Sequence, residues 1–117
     1  MMRVLVCGSR KWTDYAVIRH RLQALPPQTL IIEGEARGAD RMARRIAEGL
    51  GFAIVPFIAD WGKYGRAAGP IRNQKMLDQG KPDLVLAFSM PDSIGTKDMI
   101  ARAEKAGIPV ENVVGVY

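Results

Sequence analysis

Apolar positions along the chain fall into two alternating patterns. Short continuous runs occupy 3–7, 29–33, 52–57 and 83–88, and a broken run covers 108–110 with Val113 and Val114. Runs of this length, bounded by turn residues, read as buried strands of a parallel sheet. Between them the apolar residues recur at helical spacing: Ile18, Leu22 and Leu25; Met42, Ala43, Ile46, Ala47 and Leu50; Ile71, Met76 and Leu77; Met99, Ile100, Ala103 and Ala106. Thr13 or Asp14 can cap the first helix, and Pro26-Pro27 ends it. Gly49 and Gly51 help stop the second, Gly80-Lys81-Pro82 the third, and Gly107 the last. Pro56 places the third strand at an edge or marks its end. Residues 58–68 read as an irregular polar-aromatic stretch and 89–96 as a loop.

Strand and helix alternate from end to end, which predicts an α/β fold: an open, mainly parallel five-stranded sheet covered by helices on both faces. No repeat, low-complexity tract or linker interrupts the 117 residues, so 1–117 reads as one domain. Nearly half the residues are apolar and a quarter charged, enough for a real core.

Composition narrows the function classes. No apolar run approaches the roughly 20 residues that span a bilayer, and the N-terminus lacks a signal-peptide core. No membrane partner is expected. The lone cysteine, Cys7, forms no internal disulfide and suits a cytoplasmic protein in which it packs as a small core residue. There is no Cys/His cluster, so no metal site is implied. The chain has neither a GxGxxG after its first strand nor a Walker A sequence, and no cofactor is implied. The net charge of +5 favours an anionic partner. Because Arg and Lys are scattered, a small anionic ligand fits better than a nucleic-acid footprint.

In an open parallel sheet, ligands bind beyond the carboxyl ends of the strands, where strand order reverses. The loops at that rim collect Gly8-Ser9-Arg10 after the first strand and Gly34-Glu35-Ala36-Arg37-Gly38-Ala39-Asp40 after the second. Asp60, Trp61, Lys63, Tyr64 and Gly69-Pro70-Ile71-Arg72-Asn73 follow the third, and Gly95-Thr96-Lys97-Asp98 the fourth. Gly69-Pro70 reads as a helix start, which puts Arg72 and Asn73 in its first turn. Gly95-Thr96 offers backbone N–H groups and a hydroxyl to a phosphate. Arg72 adds charge-assisted bonds, and Asn73 a contact to a sugar or phosphate oxygen. Trp61 or Tyr64 can cover a base. Asp40 either caps its own helix or faces the ligand. Asp98 is the carboxylate best placed for chemistry, against the alternative of a favourable charge at a helix start. His20 lies among the arginines of the first helix and takes no role.

Taken together, Gly8-Ser9-Arg10, Glu33-Gly34-x-x-x-Gly38-Ala39-Asp40, Asp60-Trp61, Gly69-Pro70-Ile71-Arg72-Asn73 and Gly95-Thr96-Lys97-Asp98-Met99 resemble the YspA/YpsA-related branch of the SLOG superfamily. That superfamily includes the LOG phosphoribohydrolases and DprA. The resemblance implies a Rossmann-like fold binding a nucleotide or nucleotide-derived ligand, as a sensor or processing domain, and a homo-oligomer, typically a dimer. It also implies two alternatives: a LOG-like phosphoribohydrolase cleaving an N-glycosidic bond, and a DprA-like nucleic-acid-binding module. The LOG motif P-G-G-x-G-T-x-x-E ends in a catalytic Glu, whose position here is held by Met99. A thioether does no acid–base work. Asp98, one residue earlier, is rotated by about 100° on a helix. Arg72 resembles the helix arginine that LOG enzymes use at the substrate.

Overall fold

The first apolar run becomes the centre of the sheet. In the computed structural model, which describes residues 1–116, the elements run β1 (Arg3–Gly8), α1 (Tyr15–Gln23), β2 (Leu30–Glu33), α2 (Ala39–Gly49), β3 (Ala53–Pro56), α3 (Trp61–Tyr64), α4 (Ala68–Asp78), β4 (Leu84–Ser89), α5 (Ile94–Lys105) and β5 (Val110–Val114). A 3₁₀ turn, Gly65–Ala67, joins α3 to α4. The sheet order is β3-β2-β1-β4-β5, and every pair is parallel. This is the expected open, five-stranded α/β architecture with three layers.

Alternation along β1 divides the core. Val4 and Val6 face Ile18, Leu22, Ala43 and Ile46 of α1 and α2. Leu5 and Cys7 face Met76 and Leu77 of α4 and Met99 and Ala103 of α5. Val4, Leu5 and Val6 are fully buried, and each contributes roughly 1.5–3 kcal/mol by leaving water. The edge strands β3 and β5 are only half covered. Pro56 is both on an edge strand and its last residue, where no ladder donor is needed.

The local signals resolve as follows. Asp14 rather than Thr13 caps α1, accepting from Val17 N–H at 3.2 Å. Leu25 falls beyond the end of α1 but still packs on the core. Two expectations need correction. The stretch 58–68 is not wholly irregular, since Asp60 caps the short α3 and a 3₁₀ turn leads into α4. As a result α4 begins at Ala68, Pro70 is its third residue, and Arg72 and Asn73 lie in the second turn rather than the first. Proline is tolerated there because the first four N–H groups of a helix have no intrahelical acceptor to lose. The loop 89–96 is also shorter than expected: α5 already contains Gly95 and Thr96.

Candidate functional site

Strand order reverses between β1 and β4, because the chain adds β2 on one side of β1 and β4 on the other. A cavity of about 500 Å³ opens beyond the carboxyl ends of these two strands. The structure brings Gly8, Ser9 and Arg10 to it from the β1 loop, Asp40 from α2, and Trp61 from α3. Arg72 and Asn73 reach it from α4, and Gly95, Thr96 and Asp98 from α5.

Arg72 crosses from α4 to the end of β2. Its Nη1 donates to Gly34 O at 2.6 Å and its Nε to Asn73 Oδ1 at 3.1 Å. Two of the five guanidinium N–H groups are thus committed, which leaves three for a ligand. Gly34 does not line this cavity, and its role is to make room: a Cβ there meets Arg72 Nη1 at 2.5 Å.

Asn73 is the hub between α4 and α5. Its Nδ2 donates to Asp98 Oδ2 at 3.0 Å and to Gly95 O at 3.2 Å. Arg102 Nε donates to the same Asp98 oxygen at 2.9 Å, and Arg102 Nη1 to Gln74 Oε1 at 3.0 Å. Asp98 therefore reaches the cavity with Oδ2 occupied by two donors. Asn73 serves this network and does not project alone toward a ligand. At the start of α5 no side chain caps the helix. Ser93 Oγ, which could do so, instead accepts from Met90 N–H at 2.9 Å. The N–H groups of Ile94, Gly95 and Thr96 belong to the turn that lacks intrahelical acceptors, and all three residues line the cavity. Met99 lies in the core beneath, fully buried.

The β2–α2 loop is built on buried carboxyls. Asp40 neither caps its own helix nor stands free. Its Oδ2 accepts from Gly34 N–H at 3.1 Å and Ala36 N–H at 3.4 Å, folding the loop back over the strand end. Burial pushes its carboxyl up to about 6, against the pull of the Arg72 guanidinium. Glu33 is fully buried: Oε2 accepts from Glu35 N–H, and Oε1 has no partner among the described residues. Burial, followed by the hydrogen bond with the Glu35 side chain, raises Glu33 to about 8. The same pairing holds Glu35 below the usual carboxylate range, helped by its ion pair with Arg44. Glu35 also adopts a left-handed backbone, φ 58°, a conformation that costs a side chain about 1 kcal/mol.

Gly38 and Asp60 are not brought to the cavity. Gly38 precedes α2 with φ 74°, and a Cβ there runs into the backbone of Ser9 and Arg10. It is the seat on which the β1 loop rests, tied by Ala39 N–H to Ser9 O at 3.1 Å. Asp60 caps α3 by accepting from Lys63 N–H at 3.0 Å. That cap presents Trp61, 48% exposed, with the Arg10 guanidinium 5.6 Å from its ring centroid. Tyr64 lies outside the cavity, stacked against Lys63. Burial pushes the Cys7 thiol well above its ordinary range, so it floors the cavity as an inert group. Sequence reasoning placed Glu33 at the end of a buried strand and in the family motif but gave it no site role; its enclosed carboxyl with an unpartnered oxygen is visible only in the fold. It also missed Ile94, an exposed apolar side chain at the cavity mouth one residue before the flagged Gly95-Thr96.

Comparisons with known proteins agree with this architecture. The chain is 40% identical over 121 residues to the Gene 61 protein of Mycobacterium phage D29, with 96% of each chain covered. The solved structure of DNA processing protein A (DprA) from Streptococcus pneumoniae has a similar fold, with a TM-score of 0.62 at 18% identity. That match covers 97% of this chain, which spans only 59% of the DprA chain. The model of the YspA, cpYpsA-related SLOG family matches residues 2–64, so Arg72, Gly95 and Asp98 lie outside the matched stretch. The chain belongs to the YspA/cpYpsA-related SLOG family.

Proposed function

We propose that the cavity binds a nucleotide or nucleotide-derived ligand. The observation that carries this reading is a convergence: the uncapped N-terminus of α5 and the three uncommitted N–H groups of Arg72 meet at one cavity of about 500 Å³. Oriented N–H groups at a helix start together with a guanidinium suit a phosphate. Trp61, half exposed at the same cavity, and Ile94 across the mouth offer apolar surface to a base. Ser9, whose Oγ accepts from Lys11 N–H at 3.0 Å, and Thr96 are placed for sugar or phosphate oxygens. The test is thermal melting of the protein with a panel of nucleotides, dinucleotides and ADP-ribose derivatives. A ligand at about 100 times its Kd adds about 2.7 kcal/mol of stability, and Arg72→Ala removes the shift. A panel that leaves the melting temperature unchanged overturns the reading.

One observation favours a second reading, cleavage of an N-glycosidic bond. Asp98 lines the cavity, and no hydrogen bond is made to its Oδ1 among the described residues. Two donors on Oδ2 fix the orientation of the carboxyl group, and a carboxylate fixed at that position suits stabilising developing positive charge on a ribose. Against this reading, Met99 is buried in the core and contributes nothing to the cavity. Release of free base from nucleoside monophosphates, lost in Asp98→Asn, is the expected signature. No turnover at high protein concentration leaves binding alone.

A further inference from the structure

A second cavity of about 360 Å³ adjoins the first. Arg10, Ala36, Trp61 and Arg72 line both, so they form the wall between them. Beyond that wall the second basin adds Arg37 and Arg41, both exposed. Neither guanidinium makes a side-chain hydrogen bond or ion pair among the described residues. The one carboxylate there, Glu35, is engaged by Arg44. Four arginines thus face one basin with a single carboxylate that is already paired. Even with Glu35, on which Arg41 also acts, and Asp40 beside Arg72, positive charge is in excess here, and an anion placed between the arginines relieves their mutual repulsion.

The wall limits what that anion is. Trp61 stands in it with the Arg10 guanidinium against its ring. Two phosphoryl groups joined through a single oxygen do not reach both sides of an indole, whereas two joined through a ribose do. We infer that the ligand carries a second phosphoryl group, linked to the first through its sugar, and that Arg37 and Arg41 seat it beyond Trp61. A nucleoside 3′,5′-bisphosphate has this form, and a mononucleotide leaves the second basin empty. The inference rests on the nucleotide reading of the first cavity.

The experiment is titration calorimetry of the full chain with AMP, ADP and adenosine 3′,5′-bisphosphate, repeated with the guanosine set. ADP carries the same number of phosphates as the bisphosphate but places them side by side. The 3′,5′-bisphosphate is expected to bind roughly tenfold tighter than the monophosphate, and ADP to gain less. In R37Q/R41Q, two surface changes, that advantage disappears while monophosphate affinity stays within about twofold. Equal affinity of monophosphate and 3′,5′-bisphosphate in the unaltered protein overturns the inference and leaves the nucleotide reading standing. A parallel loss for all three ligands in R37Q/R41Q also overturns it, because the two arginines then act only as a diffuse field. Absence of binding by both sets overturns the inference, and the nucleotide reading falls with it when the wider melting panel of dinucleotides and ADP-ribose derivatives is silent as well.

Discussion

Glu33 is the residue whose chemistry most exceeds its appearance in the sequence. At the polar end of an apolar run it reads as a strand terminus, and only the covering of β2 by α2 and the neighbouring loop buries it. Its folded pKa, about 8, lies above the ordinary value of 4.5, so between those values the folded state holds a proton that the unfolded chain releases. Asp40, at about 6 against 3.8, acts in the same direction. The contribution of these two groups to stability is therefore fully present below about pH 4 and is lost as pH rises toward 8, by roughly 1.4 kcal/mol per pH unit for each full proton of difference. Glu33→Gln keeps an acceptor for Glu35 N–H and adds a permanent donor. The variant is expected to melt higher than the parent at pH 9 and to show a flatter melting-temperature profile between pH 5 and 8; parallel profiles for the two proteins would refute this. Arg72, Trp61 and Asp98 were legible from the sequence because they sit in the segments that follow strands, within the first two turns of a helix, where a parallel sheet exposes its ligand edge. Asp40 was flagged for the same reason, but its partners, two N–H groups of its own loop, depend on a turn that no local pattern encodes.

At the scale of elements, the strands and the four longer helices follow from periodicity, whereas the passage from β3 to α4 does not. Residues 58–68 have no repeating apolar face, so a four-residue helix and a 3₁₀ turn leave no trace in the pattern. Gly69-Pro70 imitated a helix start because proline is as acceptable at the third helical position as at the first. The correction matters for the site. Arg72 one turn further along α4 reaches back to Gly34, and Asn73 turns toward α5. The α4–α5 pair is then joined by Asn73 to Gly95 and Asp98 and by Arg102 to Gln74. Asn73→Ala removes three hydrogen bonds, two of them across this junction, and leaves the Arg72 Nε donor without its acceptor. It is expected to lower stability by about 2 kcal/mol, read as a lower urea midpoint at unchanged slope. An unchanged midpoint would show that the network adds nothing to the packing of Met76 and Met99.

For the whole molecule, alternation of strands and helices announced the parallel sheet, but the order β3-β2-β1-β4-β5 is a property of packing. That order sets which loops meet: those of β1 and β4 are adjacent although about eighty residues separate them. Among the described residues no helix is long and apolar enough to cross a membrane. The net charge of +5 is spread over the chain rather than gathered into a tract, and a small ligand touching one or two phosphate seats gives a shallow salt dependence. The slope of log affinity against log salt is expected near −1, whereas a single-stranded footprint of six phosphates gives about −4. Measuring that slope for a nucleotide and for an oligonucleotide separates a ligand pocket from a nucleic-acid surface, and a steep slope for tight oligonucleotide binding would favour the surface.

The partner on which Arg72 rests has a consequence for how fast and how readily the site fills. A guanidinium parked on a carboxylate must surrender an ion pair before it can take a phosphate. Here one N–H is parked on the Gly34 carbonyl, a neutral acceptor, and a phosphate is the stronger partner by about twofold in bond strength. The arginine is thus held in place by neutral acceptors rather than by a direct ion pair. Its field still extends from the cavity, and its three remaining N–H groups take a phosphate without breaking either of its two neutral hydrogen bonds.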